Sequence, residues 1–292
     1  MDEIKITSVR AHPGDSAFLI DDGKTAIMYD SGFAFTGYQV ADKIKAIIES
    51  RKLDYIFLTH SHYDHALGSV YALKYWPDAK VVAGEYATKI FAKPSAKALM
   101  RDLDGKFAKT CGVYEYEDLI DDLKVDIPVA DGDMIKAGDM EFTALNLPGH
   151  TKCSVGYYCK EHKLLLGCES IGVYNGEDDV FPSYLVGYRM SLNSIERVKK
   201  LDIDKILVPH FGVIKGDEVK FYLEKAEENA VETADMIVKM LKTGSNKEKI
   251  AQAVKDIFYH GYIREIYPID AMNLNVGITI NLIEKELINN EM

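Results

Sequence analysis

Three histidines and an aspartate occur within six consecutive positions and are the most informative chemical feature of this chain. They lie in the segment Thr59-His60-Ser61-His62-Tyr63-Asp64-His65, which directly follows a short apolar run. Side chains two positions apart on an extended segment share a face, so His60 and His62 point the same way. Asp64 and His65 follow on the turn and can aim at a second point. Because imidazole and carboxylate bind zinc and related divalent metals, the spacing predicts two adjacent metal sites.

Two further histidines each follow an apolar run that has the composition of a strand. In the segment Leu147-Pro148-Gly149-His150-Thr151, the glycine allows a sharp turn that projects His150 from the strand end. The segment Val208-Pro209-His210-Phe211-Gly212 places His210 in a similar setting. We expect His150 to supply the third nitrogen ligand of the first site. The second site would then be completed by His210, next to Asp64 and His65.

A carboxylate that bridges the two metals is expected near Leu164-Leu165-Leu166-Gly167-Cys168-Glu169-Ser170, an apolar run followed by small residues and an acid. Glu169 is the preferred candidate, because it follows the small pair at the end of the strand. Cys168 is the alternative, since a thiolate is a good zinc ligand. The remaining histidines lack a comparable context: His12 is interpreted as lying near the site, and His162 and His260 as surface or structural residues.

The elements that must position these residues are short strands that alternate with helices. Apolar residues at helical spacing predict helices near 38–51, 66–75 and 190–200. Strands are predicted at 16–20, 25–29, 53–58, 79–83, 125–129, 139–147, 154–158, 163–166 and 205–208, the last clear strand. Such alternation is typical of an α/β protein with two sheets enclosed by helices.

Two regions of the chain differ from this pattern. Residues 84–124 form a mostly helical insertion, with Pro94 as its one helix breaker. From about residue 216 the chain reads as helix throughout, with a capping-box pattern at 245–248 and a last helix that begins near Pro268. We therefore divide the chain into a catalytic domain, 1–215, and a helical region, 216–292. The helical region could bind substrate, form a homodimer contact or only pack on the first domain.

The overall composition excludes several classes of function. The 292 residues carry a formal net charge of -11, which disfavours a nucleic-acid partner because phosphate binding relies on Lys and Arg. No apolar stretch approaches the roughly 20 residues that a membrane span requires. The start of the chain lacks the pattern of a signal peptide, and the four cysteines form no CxxC pair. We expect reduced thiols, a cytoplasmic location and a small-molecule substrate.

Taken together, these residues resemble the metallo-β-lactamase fold superfamily of metal-dependent hydrolases, and its glyoxalase II-like and uncharacterised branches in particular. The resemblance covers about residues 14–215 and implies a four-layered αβ/βα sandwich with metals at one edge, followed here by a C-terminal helical extension. The matching motifs, in order, are Asp30-Ser31-Gly32, His60-x-His62-x-Asp64-His65, Pro148-Gly149-His150-Thr151, the strand ending at Glu169, and Pro209-His210.

The resemblance also implies how the metals are held. One metal is bound by His60, His62 and His150, the other by Asp64, His65 and His210, and an acid bridges the two. Two motifs differ from the usual family pattern: Cys168-Glu169 stands where Gly-Asp is usual, and Pro209-His210-Phe211-Gly212 stands where Pro-Gly-His-Gly is usual. The first difference leaves open whether Glu169 or Cys168 is the bridging ligand.

The function expected from this site is hydrolysis by a binuclear metal centre that generates hydroxide at neutral pH. The substrate would be an ester, thioester, lactone or amide. Asp64 would be the catalytic residue, orienting the nucleophile and carrying a proton to the leaving group. Zinc is the expected metal, with iron and manganese as alternatives. Two other functions fit the same fold: a di-iron redox protein that handles oxygen or sulfur species, and a small phosphodiesterase.

Overall fold

A computed structural model describes residues 4–289, which divide into two compact units. The first unit contains residues 4–146 and 155–166, and the second contains residues 147–154 and 167–289. None of the helices in the part of the chain that is described is long and apolar enough to cross a membrane.

The first unit contains a six-stranded sheet. Its strands are β1 (Lys5–Ser8), β2 (Phe18–Asp21), β3 (Ala26–Tyr29), β4 (Tyr55–Phe57), β5 (Lys80–Gly84) and β6 (Ile127–Val129), and they lie side by side in chain order. Strands β1 to β3 pair antiparallel, whereas β3 to β6 pair parallel. The parallel part of the sheet brings the carboxyl ends of β3 and β4 to the same edge, because Tyr29 pairs with Phe57.

Four further strands of the first unit form an antiparallel array. They are β7 (Met134–Ala137), β8 (Met140–Asn146), β9 (Val155–Cys159) and β10 (Leu164–Leu166). The helices of this unit are α1 (Gly37–Ile48), α2 (Tyr63–Ala66), α3 (Ser69–Tyr75), α4 (Glu85–Phe91) and α5 (Pro94–Thr110).

Aromatic side chains from both arrays form the core of the first unit. The ring of Phe57 lies 4.7 Å from that of Tyr157 and 5.3 Å from that of Phe142, measured between centroids. All three side chains are fully buried. The hydroxyl of Tyr157 donates a 2.8 Å hydrogen bond to the carbonyl oxygen of Leu58. The core therefore also fixes the backbone immediately before the histidine segment.

The second unit is mainly helical. Its short strands are β11 (Val173–Tyr174) and β12 (Val180–Phe181), which form a hairpin, and β13 (Lys205–Val208) and β14 (Gly212–Lys215), which form another. Its helices are α6 (Tyr188–Lys199), α7 (Asp217–Lys242), α8 (Lys247–Phe258), α9 (Gly261–Ile266) and α10 (Ile269–Ile283). The apolar stripe of α7 is largely buried, which accounts for a helix of 26 residues.

Several elements differ from the sequence predictions. The prediction that β13 is the last strand is wrong, because β14 follows after a tight turn. The capping residue of α8 is Asn246 rather than Ser245, since its side chain accepts a 2.9 Å hydrogen bond from the backbone nitrogen of Lys249. Pro94 begins α5 instead of interrupting a helix, a position where its missing N–H costs nothing. Strands β1, β7, β11 and β12 were too short or too polar to recognise from the sequence.

Candidate metal centre

The first group of candidate ligands follows β4 in the first unit. His60 comes three residues after the end of that strand, and His62 occupies the capping position of α2. Helix α2 is a single turn that carries Asp64 and His65. Just beyond α2, Gly68 lies against the backbone of Ser31, where no side chain would fit, so the end of this segment packs directly on the loop after β3. The strand end and the turn therefore place all four side chains on one short segment.

These four side chains lie close to one another. The ring centroids of His60 and His62 are 4.6 Å apart, and those of His60 and His65 are 4.0 Å apart. The Nε2 atom of His65 lies 3.7 Å from a carboxylate oxygen of Asp64. His60 and His65 are buried, whereas His62 and Asp64 are partly exposed. Three imidazoles and one carboxylate in such proximity are a donor set that suits a divalent metal.

A buried aspartate, Asp30, fixes the orientation of the His65 ring. The Oδ2 atom of Asp30 lies 2.7 Å from Nδ1 of His65 and also accepts a 2.8 Å hydrogen bond from the hydroxyl of Ser16. Its Oδ1 atom accepts from the backbone nitrogen of Thr59 at 2.8 Å. A carboxylate at Nδ1 keeps the proton on that nitrogen, so that Nε2 carries the lone pair a metal requires. Asp30 therefore prepares His65 as a ligand.

The second group of candidate ligands lies in the second unit, and His150 is its first member. Gly149 has a φ of 144°, and a Cβ atom there would lie 2.7 Å from the Cα of Ser191, so only glycine fits. The Nδ1 atom of His150 lies 2.9 Å from the carbonyl oxygen of Ser183. Because a carbonyl oxygen only accepts, this contact places the proton on Nδ1 and leaves Nε2 as the ligand atom.

Glu169 lies between two histidines of the second unit. It begins a short 3-10 turn, Glu169–Ile171, and is 2% exposed. Its Oε2 atom is 2.7 Å from Nε2 of His150, and its Oε1 atom is 3.5 Å from Nε2 of His210. The sulfur of Cys168 contacts the carbonyl oxygen of Leu147 at 4.0 Å instead. In this unit, therefore, it is Glu169 that faces the histidines.

His210 occupies the turn between β13 and β14. Its backbone has a φ of 62°, a left-handed conformation that is uncommon for residues other than glycine. The hydroxyl of Tyr262, from α9, donates a hydrogen bond to the carbonyl oxygen of His210. This contact stabilises a backbone geometry that costs free energy by itself.

Three tyrosines of the second unit support the site, and none was identified from the sequence. Besides Tyr262, Tyr267 donates a hydrogen bond to Oε1 of Glu169. Tyr222, from α7, donates a 2.8 Å hydrogen bond to the carbonyl oxygen of Gly172, directly after the turn that carries Glu169. Burial, together with the nearby Cys168 and Glu169, raises the pKa of Tyr222 well above its usual value, so its hydroxyl remains a donor. The sequence carries no motif for these residues, because they lie in or between helices far along the chain.

The other three histidines have different surroundings. His12 lies in the first unit with its ring 5.2 Å from that of Phe107, and its Nε2 atom is 3.7 Å from the sulfur of Cys111. It therefore belongs to an aromatic cluster that also contains Tyr63, the residue after His62. His260 is exposed at the start of α9, and His162 is partly exposed. Neither belongs to the groups of candidate metal ligands among the described residues.

The chain thus carries His-rich sets of candidate metal ligands in both units. The side chains of these candidate ligands are of the types that hold a metal ion, and each lies close to another candidate ligand in its unit. The seven residues are His60, His62, Asp64, His65, His150, Glu169 and His210. Four of the five histidines are buried, and two have Nδ1 fixed by an acceptor. A donor set of imidazoles and carboxylates, prepared in this way, fits a binuclear metal centre and does not identify the metal.

Comparison with known proteins shows which proteins this chain is similar to. Similar proteins include glyoxylase B2 of Dictyostelium discoideum, 26% identical over 145 residues that make up 49% of this chain and 45% of that protein. Another is an acyl-coenzyme A thioesterase of Gallus gallus, 25% identical over 165 residues, or 55% of this chain and 57% of that protein. The chain spans about half the length of the curated relatives it matches.

The fold is similar to that of a solved metallo-beta-lactamase family protein from Thermus thermophilus. The TM-score is 0.62 at 16% sequence identity, and the match covers 97% of this chain and 93% of that one. The predicted α/β fold class, with helices at the C-terminal end, is confirmed. The sequence model of the Metallo-beta-lactamase superfamily matches residues 14–210, which include every candidate ligand. This chain therefore belongs to the metallo-beta-lactamase superfamily.

Proposed function

We propose that this protein is a binuclear metal-dependent hydrolase whose substrates carry an activated acyl group, with thioesters as the first class to test. The observation that carries the proposal is the position of Glu169, whose two carboxylate oxygens face two different histidines, His150 and His210. A carboxylate in that position can bind two cations, one through each oxygen. Membership of the superfamily supports the assignment as a metal-dependent hydrolase. An acyl-coenzyme A thioesterase among the relatives supports the choice of thioesters.

In this proposal, His60, His62 and His150 would hold one metal, Asp64, His65 and His210 would hold the other, and Glu169 would serve as the bridging ligand. When bound, divalent metals would supply Lewis acidity, which lowers the pKa of a coordinated water to about 7 and polarises the substrate carbonyl. Zinc suits a set dominated by imidazole; iron and manganese are the alternatives that a carboxylate bridge also accommodates.

The residues of the chain then have distinct roles. Asp64 is the catalytic residue. Its side chain is 16% exposed, so its carboxylate can contact both a bound metal and an incoming substrate. It would orient the attacking water, accept a proton from that water as its oxygen bonds to the acyl carbon, and pass the proton to the leaving group. Asp30 and Ser183 act through His65 and His150, whose rings they hold in the ligand-ready tautomer. The substrate is a small molecule, in keeping with the acidic net charge of -11.

The test combines metal analysis with a substrate screen. Protein purified without added metal is analysed for zinc, iron and manganese, and assayed on p-nitrophenyl esters, acyl thioesters and bis-p-nitrophenyl phosphate. About two zinc ions per chain with thioester turnover support the proposal. Two iron ions, a visible absorption band and no turnover would replace it with the di-iron redox function. Turnover of the phosphodiester alone would indicate the phosphodiesterase.

Single substitutions test whether hydrolysis depends on the candidate ligands. His62→Ala and Asp64→Asn should abolish thioester hydrolysis with little change in thermal unfolding, because both side chains are partly exposed. His260→Ala is the matched control, since His260 is an exposed histidine outside the ligand groups. Full turnover in both His62→Ala and Asp64→Asn would rule out the proposed mechanism.

A further inference from the structure

The C-terminal helices of the second unit reach the metal ligands of that unit directly. Tyr267 lies between α9 and α10 and is 6% exposed. Its hydroxyl donates a hydrogen bond to Oε1 of Glu169, a residue 98 positions earlier in the chain. This contact joins a side chain of the helical region to the carboxylate that faces both His150 and His210.

Glutamate needs such a contact more than aspartate does. Its side chain has one more rotatable bond, so the carboxylate can adopt more orientations and loses more conformational freedom when it binds. In the structure, the carboxylate presents Oε2 to His150 and Oε1 to His210. In the same orientation, Oε1 accepts the hydrogen bond from the hydroxyl of Tyr267. The hydrogen bond therefore selects the orientation in which each oxygen faces one histidine.

The hydroxyl of Tyr267 is itself held in place. The hydroxyl of Tyr259 donates a 3.0 Å hydrogen bond to the backbone carbonyl oxygen of Tyr267. The ring of Tyr267 packs 6.2 Å from that of Phe181 and 6.1 Å from that of His210, measured between centroids. A donor on a buried ring with a fixed backbone is suited to orienting another group, since it loses little freedom on forming its hydrogen bond.

We propose that Tyr267 is a positioning residue of the metal centre, which holds the Glu169 carboxylate ready to bind metal through both oxygens. The C-terminal helical region is thereby part of the metal centre and not only a packing element. This inference rests on the ligand set of the proposed function, and it is independent of which bond the enzyme hydrolyses. Outer partners of metal ligands commonly contribute roughly 10–100-fold to metal affinity.

The experiment measures metal affinity in the full-length protein. Zinc affinity is determined by competition with a chromophoric chelator for the wild type, Tyr267→Phe and Tyr174→Phe. Tyr267→Phe keeps the packed ring and removes only the hydroxyl that donates to Glu169. It should lower the zinc affinity roughly 10–100-fold. It should also change the visible spectrum of the cobalt-loaded protein. Tyr174→Phe is the control, because it removes the hydroxyl of another buried tyrosine of the second unit, which contacts Glu177 and Glu218 and not Glu169.

A double-variant cycle tests whether Tyr267 acts through Glu169. In a Glu169→Asp background the carboxylate no longer reaches Tyr267, so Tyr267→Phe should cause no further loss of affinity. Wild-type affinity in Tyr267→Phe, an equal loss in Tyr174→Phe, or a full loss that persists in the Glu169→Asp background would each overturn the inference. A wild type that binds two metals but hydrolyses no substrate would refute the proposed function alone.

Discussion

Substitution of Asp30, the buried aspartate that contacts Nδ1 of His65, tests how the first unit orients its candidate ligands. Asp30 is fully buried and accepts hydrogen bonds from Ser16, Thr59 and His65. Asp30→Asn is the informative substitution, because asparagine tolerates the left-handed backbone of this position, where φ is 49°. It is nearly isosteric, so the change is confined to charge and to hydrogen-bonding capacity.

The magnitude follows from the contacts. The single carbonyl oxygen of asparagine can still accept from the backbone nitrogen of Thr59, but its amide group would face Ser16 and His65. The hydroxyl of Ser16 can rotate to accept. Nδ1 of His65 can accept only if its proton moves to Nε2, the ligand atom. We expect a loss of about 1.5–3 kcal/mol in the free energy of unfolding, the range for a hydrogen bond to a charged group.

The shifted proton should also weaken metal binding roughly 10–100-fold, or about 1.4–2.7 kcal/mol. Urea unfolding of metal-free protein measures the first effect, and zinc competition with a chelator measures the second. Asp104→Asn is the matched control, since Asp104 is also a buried acid of the first unit but contacts Tyr116 and the backbone of Ala34. Wild-type zinc affinity in Asp30→Asn, or an equal loss in Asp104→Asn, would refute the argument.

Three further predictions concern the fold around the site. Gly149→Ala should destabilise the protein by about 1–3 kcal/mol in urea unfolding, because its Cβ would lie 2.7 Å from a backbone atom of α6 and φ is 144°; an unchanged midpoint would contradict it. Asn246→Ala should cost about 1 kcal/mol in the same assay through loss of the α8 cap, whereas Ser245→Ala should not. Burial raises the pKa of Asp104 to about 6 from its usual value of 3.8. Between about pH 4 and pH 6, therefore, the folded protein binds a proton at Asp104 that the unfolded chain has lost. The free energy of unfolding should fall by up to about 3 kcal/mol as the pH rises through this range. Asp104→Asn should remove that part of the pH dependence, and a wild-type slope in this variant would show that another group is responsible.

The chemical character of the site could be predicted because its signal is local. His60, His62, Asp64 and His65 lie within six positions, so the strand end and the turn bring them together whatever the remainder of the fold does. The α/β class was equally accessible, since apolar runs and helical spacing recur along the chain, and the fold comparison confirms it. The assignment of individual ligands to each metal, the zinc preference and the domain boundary at 215 remain predictions.

The sequence by itself thus determined the family and the kind of ligand, because both depend on residue types at short spacing. Only the tertiary structure showed which groups hold those ligands. Asp30 is 35 positions from His65, and Tyr267 is 98 positions from Glu169. Their contacts arise from the pairing of β3 with β4 and from the packing of the C-terminal helices. No local pattern encodes such contacts, since a hydrogen bond between distant residues depends on the whole path of the chain between them.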